Sequence, residues 1–192
     1  MYLYMRQRTD LFSGNRKRML HVAPEAELSR LFQDDRAIDY LSADLSSPTA
    51  MVKMDIMDIY YPDNFFDVIY CSHVLEHVSD DIAAMRELYR VLKPGGWAVL
   101  QVPIYGDTTF EDHTVTSPEA REKLFGQRDH VRRYGRDYAE RLALAGFCVL
   151  VDGFAQDLTN QEIIRFGLLR SEDVYFCTKP TERVDDSPIQ AQ

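Results

Sequence analysis

Short apolar runs alternate along the chain with stretches whose apolar residues recur every three or four positions. Residues 19–23 form an apolar run that stops at Pro24, and 25–32 then place Leu28, Leu31 and Phe32 at helical spacing, which predicts strand, turn and helix. Residues 37–45 and 51–56 read as two further strands, and 66–72 as a fully buried one. Ser79 is placed to cap a helix with Asp80 and Asp81 in its first turn. Its apolar face is Ile82, Met85, Leu88, Tyr89 and Leu92, and Pro94-Gly95-Gly96 end it. Residues 97–102 are again a continuous apolar run. A polar stretch follows Tyr105 as far as about Tyr134, then a helix over 135–145 and strands at 147–151 and 174–178. Apolar strands separated by helices predict a doubly wound α/β fold, its mostly parallel sheet covered on both faces.

Composition narrows the classes. At 192 residues and 45% hydrophobic, the chain can bury roughly 70% of its unfolded surface in one core and is short for two, so a single domain over 1–180 is expected. Residues 1–18 carry Arg6, Arg8, Arg16, Lys17 and Arg18 among few apolar groups and read as a short helix or lead-in, solvated in preference to a basic contact surface, while 181–192 read as a disordered tail. The net charge of −9 would repel a phosphate backbone, so nucleic acid is not an expected partner. Cys71, Cys148 and Cys177 are odd in number and widely spaced. Neither a disulfide framework nor a zinc knuckle is expected, no metal is expected, and a reducing compartment fits. No apolar run approaches the ~18 residues that span a bilayer, so a soluble, cytoplasmic protein without a membrane partner is expected. Oligomeric state is left open.

Three linked strings stand in the middle of the chain. They are Tyr61-Pro62-Asp63-Asn64-Phe65-Phe66-Asp67-Val68-Ile69-Tyr70, His73-Val74-Leu75-Glu76-His77-Val78, and Arg86-Glu87-Leu88-Tyr89-Arg90-Val91-Leu92-Lys93-Pro94-Gly95-Gly96. In this order they resemble the central block of the class I S-adenosylmethionine-dependent methyltransferases. His130-Val131-Arg132-Arg133-Tyr134-Gly135, with Leu142 and Ala145-Gly146-Phe147, is similar to the same family's late, acceptor-side region, so the likeness covers about 19–180. It implies a Rossmann-like, seven-stranded sheet of order 3-2-1-4-5-7-6 with strand seven antiparallel, and S-adenosylmethionine across the C-terminal ends of the first four strands. Where the family usually has a glycine-rich turn after strand one, this chain has His21-Val22-Ala23-Pro24-Glu25-Ala26-Glu27. Without glycine a positive φ is costly, so a different loop path is expected here. The string Leu20-His21-Val22-Ala23-Pro24-Glu25 itself resembles a subgroup of these enzymes.

The resemblance assigns the cofactor residues. Ala23 and Pro24 leave a narrow turn, and Glu25 would offer a carboxylate to the methionine ammonium. Asp44, after the strand-two run, would accept the ribose hydroxyls, although an Asp at a strand end is also a common turn residue. Asp55 and Ile56 would meet the adenine, with Asp58 facing solvent. Cys71, Ser72 and His73 close strand four beneath the methionine part, their carbonyls facing the ammonium. Glu76 and His77 read as structural.

Methyl transfer is a displacement at a sulfonium carbon, so positioning and exclusion of water do most of the work. A base is needed only if the acceptor must lose a proton, and histidine suits neutral pH. His21 stands where the family has an acid. His130 is the first candidate base and His73 the second, with His113, Arg132, Arg133 and Tyr134 as the acceptor-binding set. The segment 106–134 is expected to cover the acceptor pocket, with His130 and Arg132 or Arg133 facing it. The expected acceptor is a small molecule. A cofactor-binding but non-catalytic sensor or scaffold is the alternative, and a nicotinamide dehydrogenase would need the G-x-G-x-x-G turn that this chain lacks.

Overall fold

The structure, a computed structural model, describes residues 1–181, so the expected tail falls outside the described residues except for Thr181. Among the described residues nine strands form: β1 (Lys17–Val22), β2 (Ile38–Asp44), β3 (Val52–Lys53), β4 (Phe66–Ser72), β5 (Leu92–Gln101), β6 (Phe110–Glu111), β7 (Arg132–Arg133), β8 (Cys148–Asp152) and β9 (Val174–Thr178). The α-helices are α1 (Tyr2–Arg8), α2 (Ala26–Asp34), α3 (Asp81–Val91), α4 (Pro118–Phe125), α5 (Tyr138–Leu144) and α6 (Asn160–Phe166). Seven strands make one sheet of order β3-β2-β1-β4-β5-β9-β8. β1 to β5 pair in parallel, and β9 runs antiparallel to both its neighbours. Counted along this sheet alone, that is the 3-2-1-4-5-7-6 order implied by the sequence.

Period-two alternation sorts the strand residues to two cores. Leu20, Ile69, Cys71, Ala98 and Leu100 face the layer of α3 and α5, where Ala84, Met85, Leu88 and Leu142 meet them. Met19, Val68, Tyr70, Trp97 and Val99 face the other way, onto Tyr4, Met5, Leu11 and Phe32. The lead-in is therefore no solvated leader. Tyr4, Met5 and Leu11 are at most 2% exposed, because α1 closes the second face, and Asp10 takes hydrogen bonds from Lys17 and the Trp97 indole.

Local boundaries moved for identifiable reasons. Asp80, not Ser79, caps α3, its carboxylate accepting from the Ala83 N–H at 2.9 Å. That helix stops at Val91, and Leu92 already belongs to β5, so the Pro-Gly-Gly run lies within the strand's first half and does not end the helix. The third strand shrinks to Val52–Lys53, which leaves Asp55 and Ile56 in the turn beyond it. The helix expected over 135–145 forms only as α5. Within 106–134 the chain folds as β6, α4 and β7, with β6 and β7 as a separate antiparallel ribbon. Among the described residues no helix is long and apolar enough to cross a membrane.

Candidate functional site

A cavity of about 540 Å³ opens at the C-terminal ends of β1, β2, β3 and β4. There the sheet order reverses, with β1 and its two neighbours sending connections to opposite faces, which is where ligands of doubly wound sheets bind. Ala23, Asp44, Asp55, Ile56 and His73 line it. Pro24, Glu25, Cys71 and Ser72 do not. Its other walls include residues the sequence did not single out, among them Met54, Met57 and Asp129, together with Ser79.

Two strained residues frame the cleft. Ala23 has φ +50° and His73 φ +55°, at the ends of β1 and β4. A left-handed conformation costs an L-residue roughly 1–2 kcal/mol, and such strain tends to collect at ligand sites. The turn after β1 thus takes the positive φ that the sequence made improbable, because Ala23 carries only a methyl group and its N–H is held by the Ala43 carbonyl at 2.8 Å. The His73 N–H is fixed likewise by Gln101 O at 2.9 Å.

Glu25 corrects a second expectation. Its carboxylate is engaged from within: Nε2–H of the fully buried His21 donates to Oε2 at 2.7 Å, and the Tyr70 hydroxyl to Oε1 at 3.0 Å. Burial alone would raise its pKa, but these partners hold it below the usual carboxylate range. Glu25 therefore locks α2 and its preceding turn to β1 and β4. It does not stand free for an ammonium. Cys71 is 1% exposed with its thiol pushed up by burial, so it packs and does not react.

Asp44 is both turn residue and cleft wall. Its Oδ1 accepts from the N–H groups of Ser46 at 2.7 Å and Ser47 at 2.6 Å, while Oδ2 takes no bond from the described residues. Asp55 repeats the pattern, Oδ1 accepting from Met57 N–H at 2.8 Å. Beside it Ile56 offers an apolar wall, 4% exposed, and Asp58 is exposed as expected. The cleft holds three carboxylates, Asp44, Asp55 and Asp129, and neither Lys nor Arg. Such a lining repels phosphates and suits a cation.

A second cavity of about 580 Å³ adjoins the first, and His73 lines both. Gln101, Pro103, Gly106, Asp107, Arg136, Glu172 and Tyr175 belong to it. Its wall is made by 104–107 running beside 134–137, through Tyr105 N–H to Tyr134 O at 2.6 Å, Arg136 N–H to Gly106 O at 3.0 Å and Asp137 N–H to Asp107 O at 3.1 Å. Gly135 is required there, since a Cβ would stand 2.4 Å from the Thr108 backbone.

The acceptor set read from the sequence lines neither cavity. Arg132 is 1% exposed and donates to the carbonyls of Leu75 at 2.7 Å, Val78 and Ser79, and to Glu111 at 3.1 Å. Tyr134, fully buried, gives its hydroxyl to Asp81 Oδ2 at 2.7 Å. Arg133 lies over the Tyr105 ring at 4.5 Å, and His113 is exposed. His130 is 2% exposed, behind His77, with Nδ1 3.3 Å from Phe125 O, and burial followed by the nearby His77 lowers its pKa. A guanidinium that caps four oxygens is structural however strongly its motif suggests recognition. His73 is different: it is exposed in the cleft, and its bond to Glu76, 3.4 Å away, raises its pKa against the effect of burial. Glu76 and His130 are buried and group with His77 so that one donor atom of each lies within 4.8 Å of the others.

A sequence family described as a methyltransferase domain matches residues 17–100, the span from β1 into β5 that supplies every lining residue of the acidic cleft except Asp129. The chain resembles this family over that span, which is less than half of its 192 residues. It shares this fold with a SAM-dependent methyltransferase from Archaeoglobus fulgidus, at TM-score 0.58 and 18% identity, over 92% of each chain. In sequence it is 39% identical over 66 residues to a sterol 24-C-methyltransferase of Aspergillus fumigatus, covering 34% of this chain and 18% of that protein. An uncharacterised methyltransferase of Schizosaccharomyces pombe is 33% identical over 90 residues, 44% of this chain and 32% of that one. The match thus spans a third or less of these curated relatives. The family match ends at residue 100, before the segments 104–107 and 134–137 that wall the second cavity.

Proposed function

We propose that the chain binds S-adenosylmethionine in the acidic cleft and transfers its methyl group to a small acceptor in the adjoining cavity. The observation that carries this reading is the cleft's lining: three carboxylates with no Lys or Arg, at the switch point of the sheet. A dinucleotide pyrophosphate would meet repulsion there, whereas a ligand with sulfonium and ammonium charges would be attracted.

When bound, S-adenosylmethionine supplies an electrophilic methyl group on sulfur. The free Oδ2 of Asp44 accepts from the ribose hydroxyls, while Oδ1 keeps the turn in place. Asp55 accepts from the exocyclic amine of adenine, and Ile56 packs against the ring. Ala23 in its left-handed turn brings the β1 end close to the ligand backbone, as a glycine would. His73, shared by both cavities, orients the acceptor toward the methyl group. In the acceptor cavity Asp107, Glu172 and Asp173 outnumber Arg136, which favours a neutral or cationic acceptor over a phosphorylated or carboxylated one. No nucleic acid and no membrane partner enters this account.

The test is turnover. The chain is incubated with S-adenosylmethionine and panels of small amines, phenols and acids, and S-adenosylhomocysteine release is measured with the mass of the methylated product. Release with amines or neutral acceptors, and not with phosphorylated ones, is expected. Tight S-adenosylhomocysteine binding without release above background for any acceptor would favour the non-catalytic sensor.

A further inference from the structure

Methyl transfer leaves one buried cluster without a task. It lies where the turn after β4 meets the segment following α4. Glu76 is 2% exposed; its Oε1 sits 3.4 Å from His73 Nδ1, while its Oε2 is buried with no hydrogen-bond partner among the described residues. A carboxylate oxygen in that position is strongly unfavourable unless a cation or donor meets it. The rings of His77 and His130 stand edge to face, centroids 4.6 Å apart. One donor atom each from Glu76, His77 and His130 lies within 4.8 Å of the others.

The outer nitrogens are already occupied. His77 Nδ1 is 3.2 Å from Asp129 Oδ2, and His130 Nδ1 is 3.3 Å from the Phe125 carbonyl oxygen. A carboxylate or carbonyl behind an imidazole is how metal-bound histidines are oriented, and it leaves Nε2 of both rings for a ligand. We propose that Glu76 Oε2 and the Nε2 atoms of His77 and His130 bind one divalent transition-metal ion of the zinc class.

Two imidazoles and one carboxylate match zinc, cobalt or iron(II), whereas magnesium and calcium take oxygen sets. Ligand distances of about 2.0–2.2 Å require the three donors, which lie within 4.8 Å of one another, to draw together. His77, a third exposed, is the one with room to turn. Three protein ligands leave a fourth position for water. The ion would reinforce the tie between the two segments that Val131 N–H already makes to Glu76 O at 2.9 Å. Cysteine spacing carries no trace of this set, and His130 is distant in sequence from Glu76 and His77. Binding of the ion does not depend on methyl transfer.

The experiment is titration of the chelator-stripped chain with cobalt(II), then zinc(II), read by visible absorption, calorimetry and thermal melting, with magnesium for comparison. One equivalent of cobalt with four-coordinate ligand-field bands, displaced by zinc, and a melting point raised by zinc but not magnesium are expected. Glu76→Gln and His130→Gln should each weaken binding about 100-fold or more, while His113→Ala, outside the cluster, leaves it unchanged. Circular dichroism establishes that each variant is folded. If one is not, protection of the native histidines from chemical modification by zinc decides in its place. A native chain that forms no stoichiometric cobalt or zinc complex, or folded Glu76→Gln and His130→Gln chains that bind as tightly as the native one, would overturn the proposal.

Discussion

Ala23 and His73 hold left-handed backbone at the ends of adjacent strands, and both line the acidic cleft. At Ala23 the strain is separable from the side chain's role, since a methyl group makes no polar contact. Ala23→Gly should therefore raise stability by up to about 1 kcal/mol, the relief of left-handed strain less the added chain entropy of glycine. Chemical denaturation checks it, and a loss of stability would mean that the turn is not strained. Asp44 carries two tasks on two oxygens, so Asp44→Asn, which keeps Oδ1 for the Ser46 and Ser47 N–H groups, should change stability by less than about 0.5 kcal/mol. The same variant should weaken S-adenosylhomocysteine binding by about 1.5–3 kcal/mol. If stability falls and affinity does not, Asp44 is a turn residue alone. Asp44 and Asp55, singled out through the family resemblance, both line the cleft. Asp129 was not legible, since nothing local to it reveals that its loop folds back to the cleft. Arg132 and Tyr134 misled for the opposite reason: residue chemistry suits recognition, but burial, invisible in a motif, turns it inward.

Among the elements, α3, α5 and the β6–β7 ribbon converge on Asp81. Its carboxylate takes Arg141 at 2.6 and 2.9 Å and the Tyr134 hydroxyl at 2.7 Å, with Arg132 at 3.8 Å. Burial pushes the Asp81 pKa up, but Arg141, Arg132 and Tyr134 together bring it below the usual carboxylate value. Since the folded pKa lies under the unfolded one, near ~3.9, this stabilisation is complete above that value and is lost as pH falls through the folded pKa. Asp81→Asn should cost about 3 kcal/mol at pH 7, with the difference from the native chain shrinking below about pH 4. Urea midpoints measured across that range test it; a difference independent of pH would show that the charge of Asp81 is not what matters. Gly135→Ala should cost about 1–3 kcal/mol, because its Cβ has no room against Thr108. As it displaces the wall at 104–107, the KM for an acceptor should rise while S-adenosylhomocysteine affinity holds. Strands β4 and β9 were readable to the residue because each is a continuous apolar run. The ribbon was not, since two-residue strands leave no alternation and their pairing, Phe110 with Arg133, spans 23 positions. α6 was missed as well: Ile164 and Phe166 are exposed, so the helix has no buried stripe to announce it.

Across the described residues, the sheet order, the acidic cleft at its switch point and the family match over β1 to β5 all support the proposed S-adenosylmethionine site. The cofactor half was legible because parallel strands impose long apolar runs and its motifs are contiguous. The proposed acceptor cavity is assembled from β5, 104–107, 134–137 and 169–175, pieces that meet only in three dimensions. The central claim is that the glycine-free turn still binds S-adenosylmethionine, and calorimetric titration with S-adenosylhomocysteine tests it most directly. One ligand per chain with a Kd in the micromolar range, about −8 kcal/mol, is the predicted result. No heat at ligand concentrations well above that range, together with no shift in melting temperature, would contradict it.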